Sequence, residues 1–418
     1  MRILIKNATL IDPKNEAHGQ TLSFLIEDGI FTEIGAIDLQ ADRVIDVPNL
    51  HVSQGWFDPL VAFGEPGYEE RETLAHGLAV AARSGFTHIG LLPDTHPIID
   101  SQNGIVHQRT KAVGAVTQCH PLGTLTQGGS GEQLAELYHM HQAGALAFYD
   151  AFAPIQNPQL LKIGLEYTQS FGGLLLSHPS DVALQQGGMM HEGETSTRLG
   201  LKGIPSIAES VHVQRDLEVL AYSGGHLHIP FVSTAAAVEH IRNAKKKGLS
   251  VSCTVGLPHL YFDDNALEGY DAQRKLFPPL RTQDDRQALR EGLLDGTIDG
   301  ISSMHQPMNL EAKDVEFELA APGTIGLDVC FGLLCTLFPL AQVVHYLTRN
   351  KAIFSIPHTL IAKGQAADLT FFDPTDAYTI RPLDIYSTSK NCAYLGEKAI
   401  GRALGCFTNN TLHWNADA

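Results

Sequence analysis

Eight short apolar runs, separated by amphipathic stretches, leave this chain few ways to fold. The runs are Trp56–Phe63, Thr87–Leu92, Ala115–Leu125, Ala145–Tyr149, Gly173–Ser177, His226–Val232, Leu249–Val255 and Gly300–Ser303. Each is short enough for a strand buried on both faces. Between them, Glu70–Ser84 carries Leu74, Leu78, Ala81 and Ala82 at helical spacing. Gly131–Ala143, Ser206–Tyr222, Thr234–Lys247 and Gln283–Leu294 are further helical stretches. Strands alternating with helices predict an α/β protein, here a (β/α)8 TIM barrel. A doubly wound sheet is the runner-up, but it normally uses fewer strands, and no glycine-rich phosphate loop opens the alternation. In a barrel the chemistry sits at the carboxyl ends of the strands.

The two ends read differently from the middle. Arg2–Ile5, Leu22–Glu27 and Arg43–Val47 are β-rich, with turn signals at Asp12-Pro13 and Asp28-Gly29. Ala367–Phe372, ending at Asp373-Pro374, and Gly405–His413 resemble them. The expectation is a small β-sandwich domain built from residues 1–53 plus 360–418, around a barrel domain of residues 54–359.

Net charge is −17, which argues against nucleic acid or an anionic membrane surface as partner. No run reaches spanning length; Val329–Val344 is broken by Gly332 and Pro339. No leader is evident after Met1, and the six cysteines show no CxxC pair. The expected setting is therefore cytoplasmic, with reduced thiols and a homo-oligomeric chain.

Several blocks, in order, resemble dihydroorotases of the amidohydrolase superfamily. They include Glu65-Pro66-Gly67, Pro93-Asp94-Thr95-His96-Pro97, Leu199-Gly200-Leu201-Lys202-Gly203-Ile204-Pro205, Pro278-Pro279-Leu280-Arg281 and Gly364-Gln365-Ala366-Ala367-Asp368-Leu369. The resemblance implies an amidohydrolase-type barrel that opens a cyclic amide with a zinc-activated hydroxide.

The residues that this chemistry needs are mostly replaced. Where the family reads Asp-x-His-x-His-x-Arg-Glu-Pro-Gly, the chain has Leu60 and Ala62 for the histidines and Gly64 for the substrate-carboxylate arginine. The strand-six ligand is Phe231, and the acid–base aspartate is Met304. Asp94 and Phe277 replace two substrate-contacting asparagines. Asp150 and His178 remain at ligand positions as a vestigial metal pair. They are too few for the family's metal centre.

The expected reading is thus a catalytically inactive dihydroorotase-like protein, without a cofactor, acting as a structural partner of aspartate transcarbamoylase. The alternative is a divergent dihydroorotase or other cyclic-amide hydrolase, with zinc on Asp150, His178 and a further ligand such as His259. A small-molecule sensor using the old pocket is a third reading. The plainer readings are a hydrogen-bonded relic pair for Asp150 and His178, a solvated loop histidine at His259, and packing roles for His228 and His305. For Lys245–Lys247 the plain reading is a solvated helix end, and for Cys253 a small buried hydrophobe.

Overall fold

The protein is described by a computed structural model covering residues 1–37 and 39–415. Strands from both ends of the chain form one eight-stranded sheet. Arg2–Leu10 pairs with Thr21–Glu27 and, in parallel, with His51–Gln54. His51–Gln54 in turn pairs antiparallel with Leu369–Thr379. It is therefore the seam that joins the two ends. Both ends of the chain thus contribute strands to this sheet. The Asp28-Gly29 turn has φ of 47° and 83°, and Asn409-Asn410 has 48° and 56°. Positive φ at both central residues is what a two-residue hairpin requires. Ile3, Ile5, Phe24, Leu369, Phe371 and Phe407 share the sheet's core. Asp373-Pro374 does not end its strand, because a register shift between Asp373 and Ala377 lets Leu369–Thr379 run through it.

The middle is α/β with parallel strands. Trp56–Val61, Phe86–Leu91 and Gln118–Pro121 form one sheet. Leu175–Leu176, Leu227–Ile229, Val251–Gly256 and Gly300–Ser302 form another. The fourth expected strand, Ala145–Tyr149, contributes only bridges, Phe148 pairing with Gly123 and with Leu175 across the gap between the sheets. At the other edge Asp58 ties the first strand to the eighth. Its Oδ1 accepts from Ser302 Oγ at 2.8 Å and its Oδ2 from Ser303 N at 2.8 Å. Regular pairing is thus sparser than the eight runs predict.

The helices follow their caps. Thr73 Oγ1 accepts from His76 N ahead of Leu74–Arg83, and Thr234 caps Ala235–Lys246. Gly131–Ala143 shortens to Leu137–Gln142, because the loop before it turns through Gly128, Gly129 and Gly131 at positive φ. Thr282 and Asp285 form a capping box on Gln283–Leu294, and Asp285 also accepts from Ala235 N. Thr282→Ala is expected to cost about 1 kcal/mol, read as a shift in the urea midpoint with unchanged slope. Val329–Val344 becomes two helices, Cys330–Leu337 and Leu340–Ile353, broken at Pro339. No helix among the described residues is long and apolar enough to cross a membrane.

Candidate active site

The carboxyl ends of the parallel strands gather the residues that sequence reasoning singled out. Leu60, Ala62, Phe231 and Met304 are all buried and belong to one apolar cluster with Phe57, Tyr149, Leu176 and Phe354. The Phe231 ring stacks on Phe152 with centroids 6.0 Å apart, and Phe277 stacks on His178 at 5.0 Å. The substituted positions have become part of the hydrophobic interior.

Asp150 and His178 are not joined to each other. Asp150 Oδ1 accepts from Thr126 N at 2.9 Å and Oδ2 from Thr126 Oγ1 at 2.6 Å. Burial pushes the Asp150 carboxyl up, and the Thr126 hydrogen bonds pull against it. His178 Nδ1 lies 3.0 Å from the Tyr149 hydroxyl, while its Nε2 is buried without a partner. Burial, then the neighbouring His212, pushes the His178 pKa down to about 3, so the ring is neutral.

These residues do not fit the zinc that the resemblance implies. Leucine, alanine and phenylalanine carry no donor atom, and Asp150 and His178 alone are too few to hold the ion. Among the described residues no group of three or more His, Cys, Asp or Glu side chains is placed to hold a metal ion.

Gly64 is equally decided by its surroundings. Its φ is 101°, and a Cβ there would meet the Tyr68 carbonyl oxygen at 2.9 Å. Only glycine suits that backbone and that contact, so the arginine of the family pattern has no room. Asp94 lies after the second strand; burial raises its pKa and the charge of Arg71 lowers it.

His259 departs from its expected solvated loop. It is 2% exposed, on the short helix Leu257–Tyr261 that follows the seventh strand directly. Its Nε2 donates to the Pro278 carbonyl at 3.0 Å, which leaves Nδ1 as a bare acceptor, buried and unpartnered. A Cβ on Gly256 would meet both Met304 Sδ at 2.7 Å and His259 Nδ1 at 3.1 Å. Met304 and His259 Nδ1 thus both lie close to the Gly256 backbone. Burial holds the His259 pKa down at about 4.

His228 has partners on both ring nitrogens, whereas the Nε2 of His305 is buried without one. His228 Nδ1 lies 2.8 Å from Ser252 Oγ and its Nε2 3.1 Å from Thr254 Oγ1. His305 Nδ1 accepts from Gly326 N and Leu327 N. Lys245 is not simply solvated, since it pairs with Asp299 at 2.5 Å. Burial pushes the Cys253 thiol up to about 12, and all six cysteines are free. Sequence reasoning missed Thr126, Tyr149 and Arg71, whose roles are set by partners remote in sequence.

Backbone conformation adds a further mark of a site. Ala151, Phe231 and Met304 have φ of 53°, 54° and 57°. Left-handed backbone is disfavoured at such residues and concentrates at functional sites.

A family model described as "Dihydro-orotase-like" matches residues 52–237. The dihydroorotase of Pelotomaculum thermopropionicum is 39% identical over 406 residues, covering 95% of this chain and 94% of that protein. The dihydroorotase of Syntrophus aciditrophicus is 35% identical over the full length of both. The chain belongs to the dihydroorotase family. In structure it is similar to the L-hydantoinase (dihydropyrimidinase) of Arthrobacter aurescens, with a TM-score of 0.85 at 21% identity over 98% of this chain and 95% of that one. A D-hydantoinase from Thermus sp. has a TM-score of 0.82 at 18% identity over 100% and 96%. These two likenesses establish the fold.

The expectation of a catalytically inactive partner protein is corrected by the relatives. Proteins named dihydroorotase match this chain end to end at 35–39% identity. Replaced ligand positions are therefore no ground for calling the chain inactive.

Proposed function

We propose that this chain is a divergent cyclic-amide hydrolase of the dihydroorotase kind, working with an altered site at the carboxyl ends of its parallel strands. The observation that carries the reading is the end-to-end similarity to proteins named dihydroorotase. The left-handed backbone kept at Phe231 and Met304 supports it.

Hydrolysis adds water across the ring amide. An oxygen–carbon bond forms, the ring C–N bond breaks, and one water proton ends on the departing nitrogen. The group here best suited to accept a proton from water is His259, through its bare Nδ1. The Pro278 carbonyl fixes its tautomer, as an orienting group does for a catalytic imidazole. Asp150, braced by Thr126, shapes the floor of the site. No step is assigned to a metal, because the residues do not fit one.

The test is dihydroorotate hydrolysis by the purified protein, with and without added zinc, beside Asp150→Ala. Turnover that the variant loses is the expected result. No turnover under either condition overturns the proposal.

A further inference from the structure

Dihydroorotate carries a carboxylate on its ring, so a site that takes it needs a cation whose charge is not already neutralised. Most basic groups near the strand ends are spoken for. Arg281 pairs with Glu209 at 3.7 Å and donates to the Ile204 carbonyl. Arg215 pairs with Asp216 at 2.7 Å. Lys275 donates to the carbonyls of Phe317 and Glu318, and Lys313 to those of Ala321 and Gly323.

Arg71 is different. Its side chain takes part in none of the ion pairs found among the described residues, unlike Arg215, Arg281 and Arg402. It is half-buried, with its Cζ 4.0 Å from the centre of the Tyr68 ring. Such stacking fixes the plane of a guanidinium and leaves its edges free to donate. The loop holds it in place: Gly64 O accepts from Tyr68 N at 3.0 Å, Tyr68 O from Arg71 N at 3.0 Å, and Arg71 O from Ser389 Oγ at 2.8 Å. Arg71 Cδ lies 3.5 Å from the point where a Cβ on Gly64 would sit. Its stem thus passes along the open side of the glycine that follows the first strand. Burial raises the pKa of the half-buried Asp94, after the second strand, and the Arg71 charge lowers it.

We infer that Arg71 reads the carboxylate of a ring-amide anion at this site. The inference rests on the cyclic-amide reading for the identity of the ring. The guanidinium supplies two parallel donors to a carboxylate, a geometry that lysine does not match.

The test is calorimetric binding to the full chain of orotate, a planar carboxylate, and of uracil, the same ring without the carboxylate. The wild type is expected to prefer orotate. Arg71→Gln is expected to cut the orotate-over-uracil preference roughly ten-fold or more, since a charge-assisted hydrogen bond is lost. Arg71→Lys should fall between the two. A wild type with no preference, or an Arg71→Gln protein that keeps it, overturns the inference. Hydrolysis is scored separately. Turnover absent with the preference and its Arg71 dependence intact sinks the hydrolase reading alone, whereas turnover present with an unchanged preference in Arg71→Gln sinks the arginine's role alone.

Discussion

Asp368→Asn is expected to destabilise the protein by about 3–5 kcal/mol at neutral pH, measured by urea unfolding. Asp368 sits immediately before the strand Leu369–Thr379, where the terminal sheet meets the parallel strands. Its Oδ2 lies 2.5 Å from Lys351 Nζ and 3.2 Å from His88 Nε2. The side chains of Lys351 and Asp368 are only 1% and 8% exposed. An uncharged asparagine would leave the Lys351 ammonium buried without a counter-charge, and removing one partner of such a pair costs far more than the pair itself is worth.

The pH dependence follows from the same contacts. Burial alone would push the Asp368 carboxyl up. The Lys351 charge and the His88 N–H overcome it and hold the carboxyl well below its ordinary range. A depressed folded pKa gives stability that is present above the unfolded value, about 3.9. That stability is lost as pH falls through the folded value. The gap between wild type and Asp368→Asn should therefore be full at pH 7 and shrink below about pH 4. A gap that stays constant into acid would refute the assignment of the charge.

The second large effect belongs to His259. His259→Gln is expected to lower dihydroorotate turnover by about 10²–10⁴-fold, the usual worth of a general base. Glutamine can place an N–H where His259 Nε2 meets the Pro278 carbonyl, but it offers no counterpart to the bare Nδ1. The substitution thus removes the proton acceptor and keeps the structural hydrogen bond, so the melting temperature should change little. Burial pushes the imidazole pKa down to about 4, so the ring is neutral, and a weak base, throughout the neutral range. The rate should accordingly hold on acidification until pH approaches about 4. Unchanged turnover in His259→Gln would return this histidine to a packing role.

Much of the fold was legible in the chain. Apolar runs of strand length, alternating with capped amphipathic helices, can bury both faces of a parallel sheet in few ways. The caps Thr73, Thr234 and Thr282 are local too, because their hydroxyls satisfy amide groups only a few residues away. The Asp28-Gly29 hairpin is local for the same reason. The fourth strand failed because periodicity cannot tell a paired run from one that touches its neighbours only at Phe148. The pairing of His51–Gln54 with Leu369–Thr379 joins residues more than three hundred positions apart, so no local signal sets its register.

At the site, the residue types at positions 60, 62, 231 and 304 could be read directly, and so could their inability to bind a metal. The inactivity drawn from them did not survive comparison with the relatives, because a lost ligand set does not say what else the surrounding residues can do. That was a matter for tertiary structure. Three-dimensional packing brought His259 Nδ1 and Met304 to the same glycine, Gly256, bonded both Asp150 oxygens to Thr126, and stacked Arg71 on Tyr68. The sequence by itself determined which segments become strands and helices and which donor atoms exist, since those depend on neighbours a few residues away. Which donors are paired, which are bare and which share one space was decided only when distant segments packed together, because a hydrogen bond is used up by whichever partner the fold brings within about 3 Å.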